Sequence, residues 1–480
     1  VQAAREIFNR KIMPALAMES ADESFTQTLR QSTLFRFSDG IWQRLKAAVP
    51  KLSALGSLCQ QLSFLAMLLL FAILAAPQFA NDKEGLATIV VAAVGLRILG
   101  TLFGGRESFT TSAVDGLVCL YFATNVIASS GSHYVKESFF GLAKLVVYVL
   151  SYFLFIGCFQ RHTKARLIQT LVCLVGGAFV VSLYGLYQYK IGVAPLATWE
   201  DPTIEDKATR VFSTLGNPNL LAGYLVPIVP LAVSLAGVSV FARGWFKWLC
   251  LPLSGVAVVI AVTTFLTGSR GGYIGLFVEL GIMFLIACTW LWRERPASRI
   301  ILFISAVIIP AAAALLLHFA LPSFEHRFLS IFAGSEHSSN AYRMNVWRSS
   351  LAMFKDNWWI GVGTGNKAFR LAYGLYMRSS FDALGTYCVP LEVAVETGVL
   401  GLVAFFWMLL VVLSRAHNNF WTSTDPVLRW ITIGAAASLI GMMAHGLVDT
   451  VFLRPQVQFI FWLLIAMLVV PATADKDPET

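Results

Sequence analysis

The residues of this chain best suited to chemistry are arginines set beside glycines and asparagines, and what they suit is an anion. Arg210 precedes Thr214-Leu215-Gly216-Asn217-Pro218-Asn219. Gly216 and Pro218 predict a turn, with Pro218 in the first turn of a helix. A helix start aims its free backbone N–H groups at whatever approaches, which favours an anion, and Arg210, Asn217 and Asn219 would add donors. The plain alternative is a capped helix start with a solvated arginine. A second group is Thr267-Gly268-Ser269-Arg270-Gly271-Gly272. Ser269 can cap the following helix, and the glycines allow close ligand approach. Arg270 presents a fork of donors to a carboxylate, bicarbonate or phosphate, unless it only touches lipid headgroups. Third are Arg343-x-x-x-Trp347 and Gly361-Val362-Gly363-Thr364-Gly365-Asn366. The glycines lack the strand–turn–helix setting and the Lys-Ser/Thr of a phosphate loop. They are an irregular turn or a substrate wall, not a nucleotide site.

Acids and bases complete the set. Glu392 and Glu396 stand one helical turn apart at the head of an apolar run, where carboxylates are costly and point to function; the alternative is a solvated helix start near the favourable end of the helix dipole. His445 and Asp449 are spaced i, i+4, so the carboxylate can orient the imidazole for proton work or form a structural pair. Lys144 falls inside an apolar run, free to snorkel or to neutralise a carboxylate. The seven cysteines show no Cys-x-x-Cys or Cys/His spacing, so no metal site, disulfide framework or cofactor is expected.

The elements that must position these residues are membrane helices. Of the 480 residues 57% are hydrophobic and 13% charged, against about 25% charged in a soluble domain. Twelve apolar segments (the range is ten to twelve) are long enough to cross a bilayer: 53–77, 85–104, 112–129, 138–159, 167–188, 218–239, 247–267, 271–292, 300–320, 389–413, 430–447 and 456–471. The expected fold is an all-α, polytopic transmembrane helical bundle. The net charge of +9 sits mainly between the apolar runs, which excludes nucleic acid as partner and names the bilayer instead. Lys and Arg in the short loops divide twelve against four, Arg97 and Arg415 being among the twelve. That places both termini in the cytosol and the chain in the cytoplasmic (inner) membrane. Residues 1–52 form a cytosolic segment, where Ile41, Trp42 and Leu45 among charges suggest an interfacial helix. Residues 53–471 form the membrane domain and 472–480 a cytosolic tail. Loops 189–217 and 321–388 are too long for simple connections and fall outside. The larger, between spans 9 and 10, is aromatic-rich and reads as ordered, with an amphipathic helix over 340–354 marked by Val346, Leu351 and Phe354.

Taken together, Arg210…Gly216-Asn-Pro-Asn219, Ser269-Arg-Gly-Gly272, Arg343-x-x-x-Trp347, the 361–366 glycines and Glu396-Thr-Gly398-Val-Leu-Gly401 resemble the O-antigen ligase and polymerase-like superfamily over residues 205–455. Leu215–Ala222, Val389–Glu396 and His445-Gly-Leu-Val-Asp449 are similar to the cyanobacterial inorganic-carbon-accumulation branch, IctB, known as bicarbonate transporters. The resemblance implies that Arg210 and Arg270, and with them Arg343, hold the anionic ligand: bicarbonate, or a lipid-linked diphosphate glycan. In the ligases a His in a His-Asn-x-x-Leu motif is the base; here Tyr387 followed by Cys388 occupies that place. A phenol with pKa near 10 is a poor base at neutral pH. Whether the chain is an enzyme therefore stays open: bicarbonate transport is the first reading, and glycan transfer with Glu396, His445, Asp449 or Tyr387 as base is the second.

Overall fold

The computed structural model describes residues 13–77, 84–104, 111–160, 162–194, 210–294, 338–379 and 381–470. Among them the regular structure is helical, with no strand. Two amphipathic helices, α1 (Glu19–Gln31) and α2 (Thr33–Ala48), precede the bundle. The membrane helices are α3 (Ser53–Ile73), α4 (Glu84–Leu102), α5 (Ala113–Ser130), α6 (Val135–Phe159), α7 (Thr163–Ile191), α8 (Pro218–Ser239), α9 (Cys250–Leu266) and α10 (Arg270–Glu294). Then come α11 (Ser338–Asp356) and α12 (Asn366–Tyr373), and finally α13 (Val389–Thr422), α14 (Pro426–Gly446) and α15 (Pro455–Val469). Eleven of the twelve apolar segments are thus helices; the remaining one, 300–320, lies outside the described residues, as do residues 1–12 and the 472–480 tail.

The last segment is the most enclosed of all. Every residue of α15 is buried, because a helix apolar on all sides is stable only when covered on all sides. Tyr148 meets Phe459 edge-on at 5.3 Å and Tyr152 packs on Trp462, so α6 shields one face of it.

Connections alternate between two ends of the bundle. At the loop-rich end lie 210–217, 267–269, 338–388 and 447–454; the other end holds α1 and α2. Two arginines counted as loop residues lie well inside helices. Arg97 lies inside α4 against Gly157. Arg415 lies inside α13 and is fully buried: its guanidinium donates to the Ala17 carbonyl at 2.9 Å and pairs with Asp22 at 2.6 Å. Asp22 also accepts the Ala113 N–H at the start of α5. One charged pair therefore fixes the N-terminal helices to two membrane helices. In α2 the side chains of Phe37, Ile41 and Leu45 are exposed.

Within the large loop the helix is present, but its buried stripe is Val346, Ser350 and Met353, while Leu351 is exposed. The main departure from expectation is in α13, which is not one continuous helix. Gly398 has φ 65° and ψ −167° and breaks it. The glycine segment fits against the break: Val362 N–H donates to the Val395 carbonyl, Gly363 N–H to that of Glu396, and Val399 N–H to that of Trp358. Gly361, Gly363 and Gly365 all have positive φ, and a Cβ on Gly361 would stand 2.4 Å from the Glu396 carbonyl carbon. These glycines are there to let two backbones touch.

Two outcomes follow. Gly398→Ala forces a side chain into backbone space that costs about 1–3 kcal/mol, with its Cβ 2.3 Å from the Trp359 carbonyl oxygen. The thermal midpoint in detergent should fall by several degrees, while Gly176→Ala, which meets nothing within 4 Å, leaves it unchanged. Arg415→Ala strands Asp22; loss of a buried partner costs about 3–5 kcal/mol, so limited proteolysis should cut within 13–48 in the variant and not in the parent.

Candidate functional site

The turn between α9 and α10 is the hub of the loop-rich end. Thr267, Gly268 and Ser269 close it, with Gly268 at φ +63° and the Ser269 hydroxyl accepting the Gly272 N–H, as expected of a cap. Arg210 lies across it, donating from Nε to the Thr267 carbonyl at 3.0 Å and from Nη2 to the Asn219 side-chain oxygen at 2.9 Å. Asn217 caps the start of α8, as the plain alternative for this motif had it. Its side-chain oxygen accepts the N–H groups of Asn219 and Leu220, so the start of α8 is already capped and those donors are taken. Asn219 acts on the arginine.

Arg270 opens α10 and donates from Nη1 to the Asn340 side-chain oxygen at 2.8 Å. Asn340 and Arg343, three apart in α11, share a face, which brings Arg343 to the same region. Arg343 stands 3.8 Å from Asp449, both side chains largely buried. The partner of Asp449 is thus Arg343. Its second oxygen accepts the N–H groups of Thr450 and Val451. The expected i, i+4 face with His445 does not form, because α14 ends at Gly446 and Asp449 lies in the turn beyond it. His445 is 2% exposed and its ring lies on Gly271, where a Cβ would come within 2.6 Å of it. Gly271 and Gly275 allow this, small residues one turn apart letting α10 and α14 close together. His445 Nε2 has no hydrogen-bond partner among the described residues.

Tyr387 joins the cluster. Its backbone is left-handed at φ 55°, held by a turn in which the Glu392 carboxylate accepts the Thr386 N–H and the Thr386 hydroxyl donates to the Cys388 carbonyl at 2.7 Å. Its ring meets that of Tyr342 edge-on at 5.9 Å, and the Tyr342 hydroxyl donates to the Asp382 carbonyl. Burial pushes the Tyr387 phenol well above its ordinary value, aided by Tyr342 and the Asp449 charge and opposed by Arg343. A phenol so placed keeps its proton at neutral pH.

Arg210, Asn219, Arg270, Arg343, Tyr387, His445 and Asp449 thus gather at one end around the 267–271 turn. Glu392 and Glu396 do not join them. They line a cavity that they share with Lys144. One residue escaped the sequence reading: Glu279, fully buried in α10, with neither carboxylate oxygen partnered among the described residues. It packs on Gly441, one turn of α14 below His445. The signal was present, a lone carboxylate in the middle of an apolar span.

With this geometry in place, residues 255–406 match the family model described as O-antigen ligase. That region is roughly a third of the chain and carries Arg270, Arg343, Tyr387, Glu392 and Glu396. The chain is therefore O-antigen-ligase-like over the α9–α13 region. No curated protein matches it.

The Tyr387 environment sets a pH dependence. A folded-state value above the unfolded value of about 10 means the native state holds the proton more tightly. Its contribution is complete below about pH 10 and declines as the pH rises beyond it. Tyr387→Phe should relieve part of the alkaline loss of thermal stability, and leave ligand binding between about pH 7 and 9 within roughly twofold. A binding transition in that range that vanishes in Tyr387→Phe would contradict the assignment.

Proposed function

We propose that the loop-rich end is extracytosolic, as the Lys/Arg bias of the loops favours, and that its arginine cluster binds a small oxyanion. Among the oxyanions the sequence suggests, bicarbonate is the one the site suits. The chain is then a bicarbonate-transport or inorganic-carbon-accumulation protein on a ligase-like scaffold, multi-pass in the cytoplasmic membrane with both termini cytosolic. One observation carries this reading: Arg210, Arg270 and Arg343 converge while a proton-retaining phenol, Tyr387, stands where a glycosyl-transfer base would be needed. Forked donors around a small, buried turn suit a planar oxyanion.

Two observations favour a second reading, a membrane glycosyltransferase acting on a polyprenyl-diphosphate-linked glycan. One is the O-antigen ligase match over 255–406. The other is His445, whose Nε2 is unpartnered beside the Arg270 helix start. In that case the arginines hold diphosphate and His445 supplies the base that Tyr387 does not.

Purified protein in liposomes, loaded with labelled bicarbonate outside, separates the two. Under the first reading uptake is saturable, and Arg270→Ala lowers it at least about tenfold, as loss of charge-assisted bonds worth about 1.5–3 kcal/mol requires; Gly176→Ala leaves it intact. Absence of uptake, with an altered surface-glycan ladder in a deletion strain, would overturn it in favour of the transferase.

A further inference from the structure

The carboxylates excluded from the arginine cluster have a site of their own. A cavity of about 80 Å³ lies between α5, α6, α13 and α15, closed on one side by Thr364, Gly365 and Asn366. By the same measure a single water needs about 10–15 Å³, so an organic group of several heavy atoms fits. Glu392 and Glu396 line it; they are 1% and 7% exposed, and each has an Oε1 with no hydrogen-bond partner. Lys144 is exposed on α6 and stands at the rim, without an ion pair to either glutamate. Much of the remaining wall is aromatic: Tyr121, Tyr148, Phe405, Phe452, Phe461 and Trp462.

Each property narrows the occupant. Two open carboxylate oxygens can accept from a donor or meet a positive charge. With all three ionised, two glutamates against one lysine leave one uncompensated negative charge within membrane-spanning segments, an expensive state that a single monovalent cation removes. Among the described residues no group of three metal-binding side chains occurs, and the mainly apolar wall offers a bare metal ion few ligands. Aromatic faces and carboxylates are instead the chemistry that holds organic ammonium groups.

We propose that this cavity binds an alkylammonium group, with Glu396 and Glu392 taking its charge and the aromatic rings its carbon atoms. The group reaches the site as a free small amine or as the headgroup of an aminophospholipid, whose phosphate Lys144 at the rim would meet. The site is separate from the arginine cluster and does not depend on what that cluster binds.

Equilibrium dialysis of labelled ethanolamine against the full chain in phosphatidylglycerol nanodiscs tests this. Binding should be saturable at one per chain, and displaced by methylammonium but not by ethylene glycol. It should weaken at least tenfold in Glu396→Gln. Lys144→Gln, a surface change that spares the fold, should tighten it severalfold by removing a competing charge. In phosphatidylethanolamine discs, blocked binding identifies the lipid headgroup as the source and unblocked binding the free amine; either supports the site. No saturable binding, equal displacement by ethylene glycol, or indifference to both substitutions would overturn it.

Discussion

A helix cannot be broken inside a membrane unless other groups satisfy the backbone it releases. In this chain the break at Gly398 is met by the glycine segment 361–365, whose N–H groups take the carbonyls of Val395 and Glu396. Much else depends on that contact. It fixes the described residues between 338 and 388 to the bundle. It thereby sets α11, with Asn340 and Arg343, over the start of α10, and the turn carrying Tyr387 beside them. It also braces the segment that carries Glu396, because glycines at 361, 363 and 365 let the two backbones touch.

Charge is partitioned by the same constraint. Arginines collect where the α9–α10 turn, the α8 entry and the end of α14 meet, each bound to a carbonyl, an amide or the Asp449 carboxylate. The glutamates collect in the cavity between α5, α6, α13 and α15. Pairing them directly would have quenched both groups. Kept apart, neither set neutralises the other, and the turn at 385–388 joins them physically: Glu392 holds Thr386, and the next residue, Tyr387, lies beside Arg343 and Asp449. The buried Arg415–Asp22 pair does the corresponding structural work at the opposite end.

The helices were legible because the bilayer imposes a length and an apolarity that composition records directly. Individual contacts were less so. Gly398 sits in a run that stays apolar on both sides, so nothing marks it as a break rather than a packing glycine. The spacing of His445 and Asp449 is helical, but the helix ends at Gly446 and the carboxylate turns to Arg343 instead. Asn217 reads equally well as ligand or cap, and only the positions of the Asn219 and Leu220 N–H groups decide for the cap. Arg415 carries the charge of a loop residue and the burial of a core one, because its partner lies nearly 400 positions away in sequence. That Arg210, Arg270 and Arg343 lie at one end was expected from topology alone, since each falls between two membrane spans or at the start of one.

The central claim is that these arginines receive a small oxyanion. Calorimetric titration of the purified chain with bicarbonate, and separately with inorganic diphosphate, tests it most directly. The account predicts saturable bicarbonate binding that weakens at least about tenfold when Arg343 is replaced by alanine, the loss of one charge-assisted contact. Tight diphosphate binding at the same arginines, with no heat from bicarbonate, would contradict it.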